Sequence, residues 1–237
     1  MPPIFSPRRN RWERALDRQD GRFERSRSSR AAVIRARFQG PDQRRIGLTG
    51  GIATGKSTVG QLLAGRFGLP VLDADLYARG ALAPGSPAAL AVLDRYGEPV
   101  AAQAGGIDRA ALGRIVFADP LERRWLEQLV HPLVRQRFES ELGRLAPEPV
   151  VVLMIPLLFE AGLESLCSEV WLVTCRAETQ LQRLIGRDGL PEQEARARMA
   201  AQWPLARKQA LADRLIHNDG DPEALEQQLA AALALNP

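Results

Sequence analysis

The chain carries the stretch Gly50-Gly51-Ile52-Ala53-Thr54-Gly55-Lys56-Ser57, which matches the pattern G-x-x-x-x-G-K-[ST]. A short apolar run at residues 45–49 precedes this stretch, and apolar residues at helical spacing follow it. The order strand, glycine-rich turn and helix is the context in which this pattern forms a phosphate-binding loop. We therefore predict that residues 50–58, ending at Thr58 and called the phosphate loop below, bind the phosphates of a nucleotide.

Each residue type in the phosphate loop has a mechanical role. Glycines let the backbone close tightly around an anion, so that N–H groups and the following helix N-terminus point at it. Lys56 is expected to reach the terminal phosphate oxygens, and the Ser57 hydroxyl is expected to coordinate Mg²⁺. The chain has only two lysines, Lys56 and Lys208, and one of them occupies the lysine position of the motif. The pattern predicts nucleotide binding without specifying the reaction.

The composition is typical of a globular protein. The chain has 237 residues, of which 45% are apolar, enough for one α/β domain with an insertion or for two small domains. The longest apolar run, residues 150–159, contains Pro156 and is too short for a membrane span, so no transmembrane helix is expected. Cys167 and Cys175 show no C-x-x-C spacing and the two histidines are far apart, so neither a disulfide framework nor a zinc site is indicated. We expect a cytoplasmic protein with reduced thiols.

The basic charge is concentrated at the amino terminus. Residues 1–45 carry 13 arginines and 5 acidic residues, which leaves 19 basic and 23 acidic residues for positions 46–237. Because the first segment has few large apolar residues, we expect an Arg-rich leader over residues 1–43 that is disordered or weakly helical. The body is mildly acidic and lacks aromatic residues interleaved with arginines, which disfavours a nucleic-acid partner.

Short apolar segments alternate with helical patterns along the body. They are predicted strands at residues 45–49, 70–73, 150–155, 169–174 and 214–217. This alternation favours an α/β fold with a doubly wound, five-stranded parallel sheet. Asp73 and Asp75 follow the second strand, so both carboxylates are expected at the carboxyl edge of the sheet, where such sheets bind ligands. One could hold hydrated Mg²⁺ while the other accepts a proton; alternatively, one of them only caps the next helix.

Two longer segments lie between the predicted strands. Residues 84–145 read as mostly helical, with helix starts at Asp108 and Asp119 and a break or kink at Pro132. An insertion of this kind is where small-molecule kinases place the wall that holds the phosphate acceptor. Residues 186–210 form a basic, loop-broken segment with several arginines, typical of a lid that excludes water and neutralises the transferred phosphoryl group.

Missing motifs exclude other classes of nucleotide-dependent protein. A GTPase would read guanine with Asn-Lys-x-Asp, which the surroundings of Lys56 and Lys208 do not provide. An ABC-type ATPase would carry Leu-Ser-Gly-Gly-Gln, which is also absent. A chain of 237 residues is too short for a typical pair of helicase motor domains. A small-molecule kinase remains.

Further short motifs resemble the dephospho-CoA kinase family, in matching order over about residues 44–235. They are Ile46-Gly-Leu-Thr-Gly-Gly-Ile, Lys56-Ser-Thr, Asp73-Ala-Asp75, His131-Pro132, Pro156-Leu-Leu-Phe-Glu160, Arg187-Asp-Gly189 and Ala201-Gln202. The Asp-Ala-Asp and Pro-Leu-Leu-Phe-Glu motifs are quite specific, whereas the phosphate loop is generic. The resemblance implies a P-loop NTPase-type nucleotide-binding core over residues 44–83 and 146–237, a helical substrate (CoA) domain over residues 84–145, and a lid near residues 186–210.

The resemblance also implies an activity and a set of roles. The reaction is ATP-dependent phosphorylation of the ribose 3′-hydroxyl of dephospho-CoA, the last step of coenzyme A synthesis, with Mg²⁺ as the metal. In this family the phosphate loop from Gly50 to Thr58 binds ATP and Lys56 stabilises the β/γ charge. Asp75 accepts the proton of the acceptor hydroxyl, and Asp73 supports Asp75. Ser57 holds Mg²⁺, and Asp73 is the second residue assigned to the metal.

The resemblance assigns two further residues and leaves two departures. Arg187 is the lid arginine expected at the phosphates, and Asn218 is expected near the adenine. Ala53 stands where the family often has glycine, which should cost little because the glycine frame is intact. Met154 stands where a carboxylate is frequent, so Mg²⁺ would rely on Ser57, the ATP oxygens and the two aspartates.

Two other functions stay open at this point. The first is another P-loop kinase that acts on a nucleoside or a different small metabolite. The second is a nucleic-acid-stimulated ATPase recruited by the basic leader. The expected partners are ATP and dephospho-CoA, without a membrane, and the chain is expected to be a monomer or a weak homo-oligomer.

Overall fold

A computed structural model describes residues 43–235 of the chain. The Arg-rich leader predicted over residues 1–43 lies outside the described residues, apart from Gln43. The strands are β1 (Arg44–Gly50), β2 (Val71–Asp73), β3 (Val150–Met154), β4 (Glu169–Thr174) and β5 (Arg214–His217). The helices are α1 (Lys56–Gly65), α2 (Ala74–Ala81), α3 (Pro87–Tyr96), α4 (Arg109–Ala118), α5 (Pro120–Arg144), α6 (Ala177–Asp188), α7 (Glu192–Ala200), α8 (Leu205–Gln209) and α9 (Pro222–Ala234).

The strands form one parallel sheet in the order β2-β3-β1-β4-β5. This confirms the predicted α/β fold with a five-stranded parallel sheet. Met154 at the end of β3 lies in register with Leu48 of β1 on one side and with Asp73 of β2 on the other. The carboxyl ends of these three strands therefore meet at one edge, with the phosphate loop and the Asp73–Asp75 motif on either side of β3.

Alternation along β3 shows how the sheet is covered on both faces. Val151 and Leu153 belong to a core cluster that includes Phe138 of α5. Val152 belongs to a second cluster, together with Val59 of α1 and with residues of α9. Since neighbouring side chains of a strand point to opposite faces, helices must cover both sides, and β3 reads as a continuous apolar run.

The chain between β2 and β3 is helical, as predicted. Asp108 and Asp119 are the N-caps of α4 and α5, and each carboxylate accepts a hydrogen bond from the first turn of its helix. Val92 and Leu112 are buried in a third, smaller core cluster that α5 completes with partly buried residues, including Trp125. The division of the body into a nucleotide-binding core and a helical substrate domain stays a prediction.

Of the predicted break or kink at Pro132, the break is wrong, because α5 continues through this residue to Arg144. A proline inside a helix removes one hydrogen bond and crowds the preceding turn. Here Val130, Val134 and Phe138 are buried against the sheet on both sides of the proline, so packing holds the helix together.

The segment predicted as a lid contains the end of α6, then α7 and α8. Helix α6 ends at Gly189, whose φ of 65° closes the helix in the left-handed conformation. Cys167 and Cys175 are both free and buried. Within residues 43–235, no helix combines the length and the apolar character needed to cross a bilayer.

Candidate active site

The phosphate loop joins β1 to α1 through a tight turn. Gly50 ends the strand, Lys56 begins the helix, and Ser57 and Thr58 are exposed in its first turn. The buried Thr54 stabilises the turn because its Oγ1 donates to the Gly51 carbonyl at 2.9 Å. No side chain caps α1, so its first N–H groups stay available to an anion.

Two residues of the phosphate loop have left-handed backbone conformations. Gly55 has a φ of 91°, and Ala53 has a φ of 58°. The left-handed region costs an alanine about 1–2 kcal/mol. Alanine at position 53 therefore carries a conformational cost that glycine would avoid, which is more than the sequence led us to expect.

Asn218, which follows β5, supports the phosphate loop. Its side-chain Nδ2 donates to the main-chain carbonyl of Thr54 at 2.9 Å, and the main-chain carbonyl of Asn218 accepts from Arg183 Nη1 at 2.9 Å. A Cβ placed on Gly55 would lie 1.9 Å from Asn218 Nδ2. Glycine is thus required at position 55 both by its φ and by this close approach. The predicted contact of Asn218 with adenine stays a prediction.

Asp73 and Asp75 lie together at the carboxyl edge of the sheet but have different roles locally. Asp73 is the N-cap of α2, and its Oδ1 accepts from the backbone N–H of Asp75 at 2.8 Å. The side chain of Asp75 is exposed in the first turn of α2 and accepts no hydrogen bond there. The alternative that one aspartate caps the helix is confirmed for Asp73, whose other oxygen stays open to a ligand.

Electrostatic effects show that the predicted charged residues share one environment. Burial lowers the pKa of Lys56, while the charges of Asp75 and Asp73 raise it in part. Although the Asp75 side chain is exposed, surrounding protein atoms partly desolvate its carboxylate and raise its pKa, as does the charge of Asp73, whereas Lys56 opposes the shift. The charges of Lys208 and Arg187 act on Lys56 as well and lower its pKa. The charges of Asp73, Asp75 and Arg187 thus all act on Lys56.

Arg187 lies in the last turn of α6 and is engaged by its neighbour. Its Nε donates to Asp188 Oδ1 at 2.7 Å, and its Nη2 donates to Asp188 Oδ2 at 3.1 Å. Hydrogen bonding to Asp188 raises the pKa of Arg187. Binding of Arg187 to a phosphate would require this bidentate pair to open or to be shared.

Sequence reasoning missed three side chains beside the phosphate loop. Gln180 of α6 donates from Nε2 to the Ile52 carbonyl at 2.7 Å, and Gln202 accepts from the Ile52 N–H at 2.8 Å. Lys208 of α8 is fully buried, with its Nζ 2.7 Å from Glu160 Oε1. The rarity of lysine in this chain could have pointed to Lys208, whereas no local pattern marks Gln180.

A model of the dephospho-CoA kinase family matches residues 44–223. The chain belongs to the dephospho-CoA kinase family. A dephospho-CoA kinase of Synechococcus sp. (strain CC9605) is 63% identical over 196 residues, which cover 82% of this chain and 94% of that protein. A second one, from Prochlorococcus marinus (strain MIT 9313), is 57% identical over 83% of this chain and 98% of its own length.

Solved structures agree with this dephospho-CoA kinase assignment. A protein of Thermus thermophilus superposes with a TM-score of 0.72 at 40% identity, covering 82% of this chain and 99% of that one. The dephospho-CoA kinase of Campylobacter jejuni has a TM-score of 0.59 at 28% identity, covering 80% of this chain and 94% of its own. Shikimate kinase of Bacteroides thetaiotaomicron, at 18% identity and a TM-score of 0.50, covers 81% of this chain and 99% of its own, and shares the fold alone.

The oxygen donors near the phosphate loop fit Mg²⁺, the metal implied by the dephospho-CoA kinase family. Ser57 offers an exposed hydroxyl, and Asp73 offers the carboxylate oxygen that is not used as a cap. Within the described part of the chain, no cluster of three or more His, Cys, Asp or Glu residues could hold a metal unaided. Mg²⁺ usually binds through one or two protein oxygens, phosphates and water, so a site completed by the nucleotide suits this donor set.

Met154, the departure noted on β3, packs against α1. A Cβ on Gly60 would lie 3.0 Å from Met154 Sδ, so the thioether occupies the space that this glycine leaves. A thioether is a poor ligand for a hard cation. No metal ligand from β3 is therefore expected in this member of the family.

Proposed function

We propose that this protein transfers the γ-phosphoryl group of ATP to the ribose 3′-hydroxyl of dephospho-CoA and releases coenzyme A and ADP. The observation that carries the proposal is the sheet geometry: β1 and β2 end on either side of Met154, so Lys56, at the start of α1, and Asp75, in the first turn of α2, follow neighbouring strand ends. The charge of each also acts on the pKa of the other. The proposal also rests on the membership of the dephospho-CoA kinase family, whose named members act on this acceptor.

Binding of ATP is assigned to the phosphate loop, residues Gly50 to Thr58. Its N–H groups and the uncapped start of α1 would surround the β-phosphate, and Lys56 would neutralise charge on the β and γ oxygens. Because phosphoryl transfer needs mainly positioning and charge stabilisation, these groups supply most of what the reaction requires.

Asp75 is assigned as the general base. Its carboxylate is exposed in the first turn of α2, the first helix between β2 and β3, and the charge of Lys56 acts on it. A carboxylate there can accept the proton of the acceptor hydroxyl as the oxygen attacks the phosphorus. Asp73 orients Asp75 by accepting a hydrogen bond from its backbone N–H.

Mg²⁺ is proposed as the metal, held by Ser57 and Asp73. When bound, it would neutralise charge on the β and γ phosphates. Arg187 is assigned to the transferred phosphoryl group, with Asp188 holding the guanidinium near the site until the nucleotide arrives. Asn218 is assigned to the adenine side of the phosphate loop.

The proposal is tested by coupled measurement of ADP release with dephospho-CoA, shikimate, gluconate and nucleosides as acceptors. We expect rapid, Mg²⁺-dependent ADP release with dephospho-CoA alone and a product that comigrates with coenzyme A. Equal or faster turnover with any other acceptor would assign the chain to a different kinase reaction.

We further propose that the protein acts in the cytoplasm as a monomer or a weak homo-oligomer. The support for a reducing compartment is the pair of free cysteines, Cys167 and Cys175. Light scattering across a range of protein concentrations tests the assembly state, and a concentration-independent dimer mass would contradict it.

A further inference from the structure

Two glutamine side chains bind the backbone of Ile52 from opposite directions. Gln180 Nε2 donates to the Ile52 carbonyl, and Gln202 Oε1 accepts from the Ile52 N–H. The two glutamines come from α6 and from the connection between α7 and α8, so both belong to the chain after β4. The third residue of the phosphate loop is thus bound through both of its main-chain polar groups.

This double contact bears on the strained residue that follows. Ala53 has a φ of 58°, which an alanine adopts only when the surroundings impose it. With Ile52 held at both its N–H and its carbonyl, the orientation of the peptide entering Ala53 is determined. The uncapped N–H groups at the start of α1, which the motif predicts to face a phosphate, begin within three residues of Ala53. The two glutamines therefore bear on the shape of the predicted anion site.

A buried ion pair holds the segment that carries Gln202. Glu160 Oε1 accepts from the backbone N–H of Trp203 at 3.3 Å and lies 2.7 Å from Lys208 Nζ. Lys208 is fully buried, and its charge is near enough to Lys56 to lower the pKa of that lysine. Removing two charges from water is costly, so such a pair is weak evidence for stability. Its position next to Gln202 indicates a role in orientation.

We propose that Gln180, Gln202 and the Glu160–Lys208 pair form a coupling unit that makes the geometry of the phosphate loop depend on α6 and on the predicted lid, residues 186–210. The inference deepens the proposed function and rests on it, because it concerns how ATP is held. In this arrangement none of the four side chains touches the reacting atoms, so they are positioning residues. Through the main chain of Ile52, the position of the lid segment affects nucleotide binding, and nucleotide binding affects the position of the lid segment.

The first experiment uses steady-state kinetics of the full chain with Gln180→Leu and Gln202→Leu. Each variant leaves one part-buried main-chain group of Ile52 without its glutamine partner, and the loss of such a hydrogen bond is worth roughly tenfold in affinity. We expect the KM for ATP to rise about tenfold while the KM for dephospho-CoA stays unchanged. Gln43→Leu is the control. Gln43 also donates to main-chain carbonyls, those of Leu145 and Glu148, but it precedes β1 and therefore lies at the end of the strand opposite the phosphate loop.

A matched pair of charged variants tests the polarity of the two contacts. Gln202→Glu keeps an acceptor for the Ile52 N–H, whereas Gln180→Glu places a carboxylate against the Ile52 carbonyl. Both variants add the same charge, so their difference reports the hydrogen bond. We expect Gln180→Glu to raise the KM for ATP several-fold more than Gln202→Glu, and equal effects would overturn the assignment.

A double-mutant cycle tests whether Lys208 acts through Gln202. We expect Lys208→Met to raise the KM for ATP, and we expect the effect in a Gln202→Leu background to be much smaller than in the wild type. Additive effects would overturn the coupling. If Lys208→Met does not fold, the Glu160→Gln/Lys208→Met variant, which leaves no single buried charge, replaces it in the cycle.

The outcomes separate this inference from the proposed function. A wild-type chain that does not phosphorylate dephospho-CoA would refute the proposed function. A wild-type chain that does so, combined with unchanged KM values for ATP in both leucine variants, would refute only the coupling unit.

Discussion

At the residue scale, one short motif places two carboxylates under different constraints. Asp73 is fixed by its capping bond to the Asp75 N–H, whereas the side chain of Asp75 is exposed beside Lys56. A capping aspartate is restrained in one rotamer, while an exposed one can turn toward a substrate. The two positions should therefore respond differently to substitution.

Replacing Asp75 with asparagine keeps the shape of the side chain and removes its ability to accept a proton. We expect Asp75→Asn to lower kcat by about 10²- to 10⁴-fold, with little change in the KM for ATP. Glu148→Gln is the control, because Glu148 is exposed just before β3 begins, at the amino-terminal edge of the sheet. An unaltered kcat in Asp75→Asn would remove Asp75 as the base.

Gly55 is the position in the phosphate loop with the least room for a side chain. An added Cβ would meet Asn218 Nδ2 and would also strain a φ of 91°. ATP at a hundred times its Kd should stabilise the wild type by about 2.7 kcal/mol, and we expect Gly55→Ala to lose most of this gain in thermal unfolding. Gly65→Ala, where a Cβ meets nothing within 4 Å, should keep it.

At the scale of elements, a buried carboxylate joins two strands to the last helix. Glu169 of β4 pairs with Arg44 of β1 and Arg214 of β5. Arg44 also donates to the carbonyls of Ala232 and Leu233, near the end of α9. One acidic group thus organises two guanidinium groups and the carbonyl end of a helix.

Removing this carboxylate should destabilise the protein strongly. Glu169 is 3% exposed and Arg44 is 9% exposed, so Glu169→Ala leaves a buried arginine unpaired. We expect a loss of about 3–5 kcal/mol in the free energy of unfolding, measured with guanidinium chloride at neutral pH. Glu226→Ala removes an exposed partner of Arg66 and should cost at most about 1 kcal/mol.

Glu169 should also affect how the free energy of unfolding depends on pH under acid conditions. Burial raises the pKa of Glu169, but hydrogen bonds from Arg44 and Arg214 outweigh it, and the net pKa is below its ordinary value of 4.5. The stabilising effect is therefore complete above that pH and is lost as the pH falls through the lower pKa of the folded state. In Glu169→Ala, the unfolding free energy should depend less on pH in this acidic range. An unchanged pH dependence in Glu169→Ala would contradict a stabilising effect of the ionised Glu169 carboxylate.

At the scale of the whole molecule, the sequence divides into a basic amino-terminal segment and a slightly acidic body. The 19 basic and 23 acidic residues at positions 46–237 give the body a slight negative charge. We expect single-stranded DNA and RNA to leave ATP hydrolysis by the full chain unchanged at physiological salt. Salt-sensitive stimulation of hydrolysis would instead support the nucleic-acid-stimulated ATPase.

The parts of the fold that depend on local pattern could be predicted from the sequence. The phosphate loop follows from glycine and lysine spacing, and β3 follows from its continuous apolar run. No break occurs at Pro132, because the packing of Phe138 and its neighbours outweighs a local preference. The bonds from Gln180 and Gln202 to Ile52 could not be predicted, since they join residues 128 and 150 positions apart.

The placement of the two lysines also has a practical consequence. Lys208 is fully buried, whereas Lys56 is half-buried and has a pKa that burial lowers, so more of its amine is unprotonated near neutral pH. An acylating reagent applied to the folded chain should therefore modify one lysine, at the mouth of the phosphate loop. Bound nucleotide should shield that amine, and peptide mass spectrometry would then read occupancy directly from the unmodified fraction.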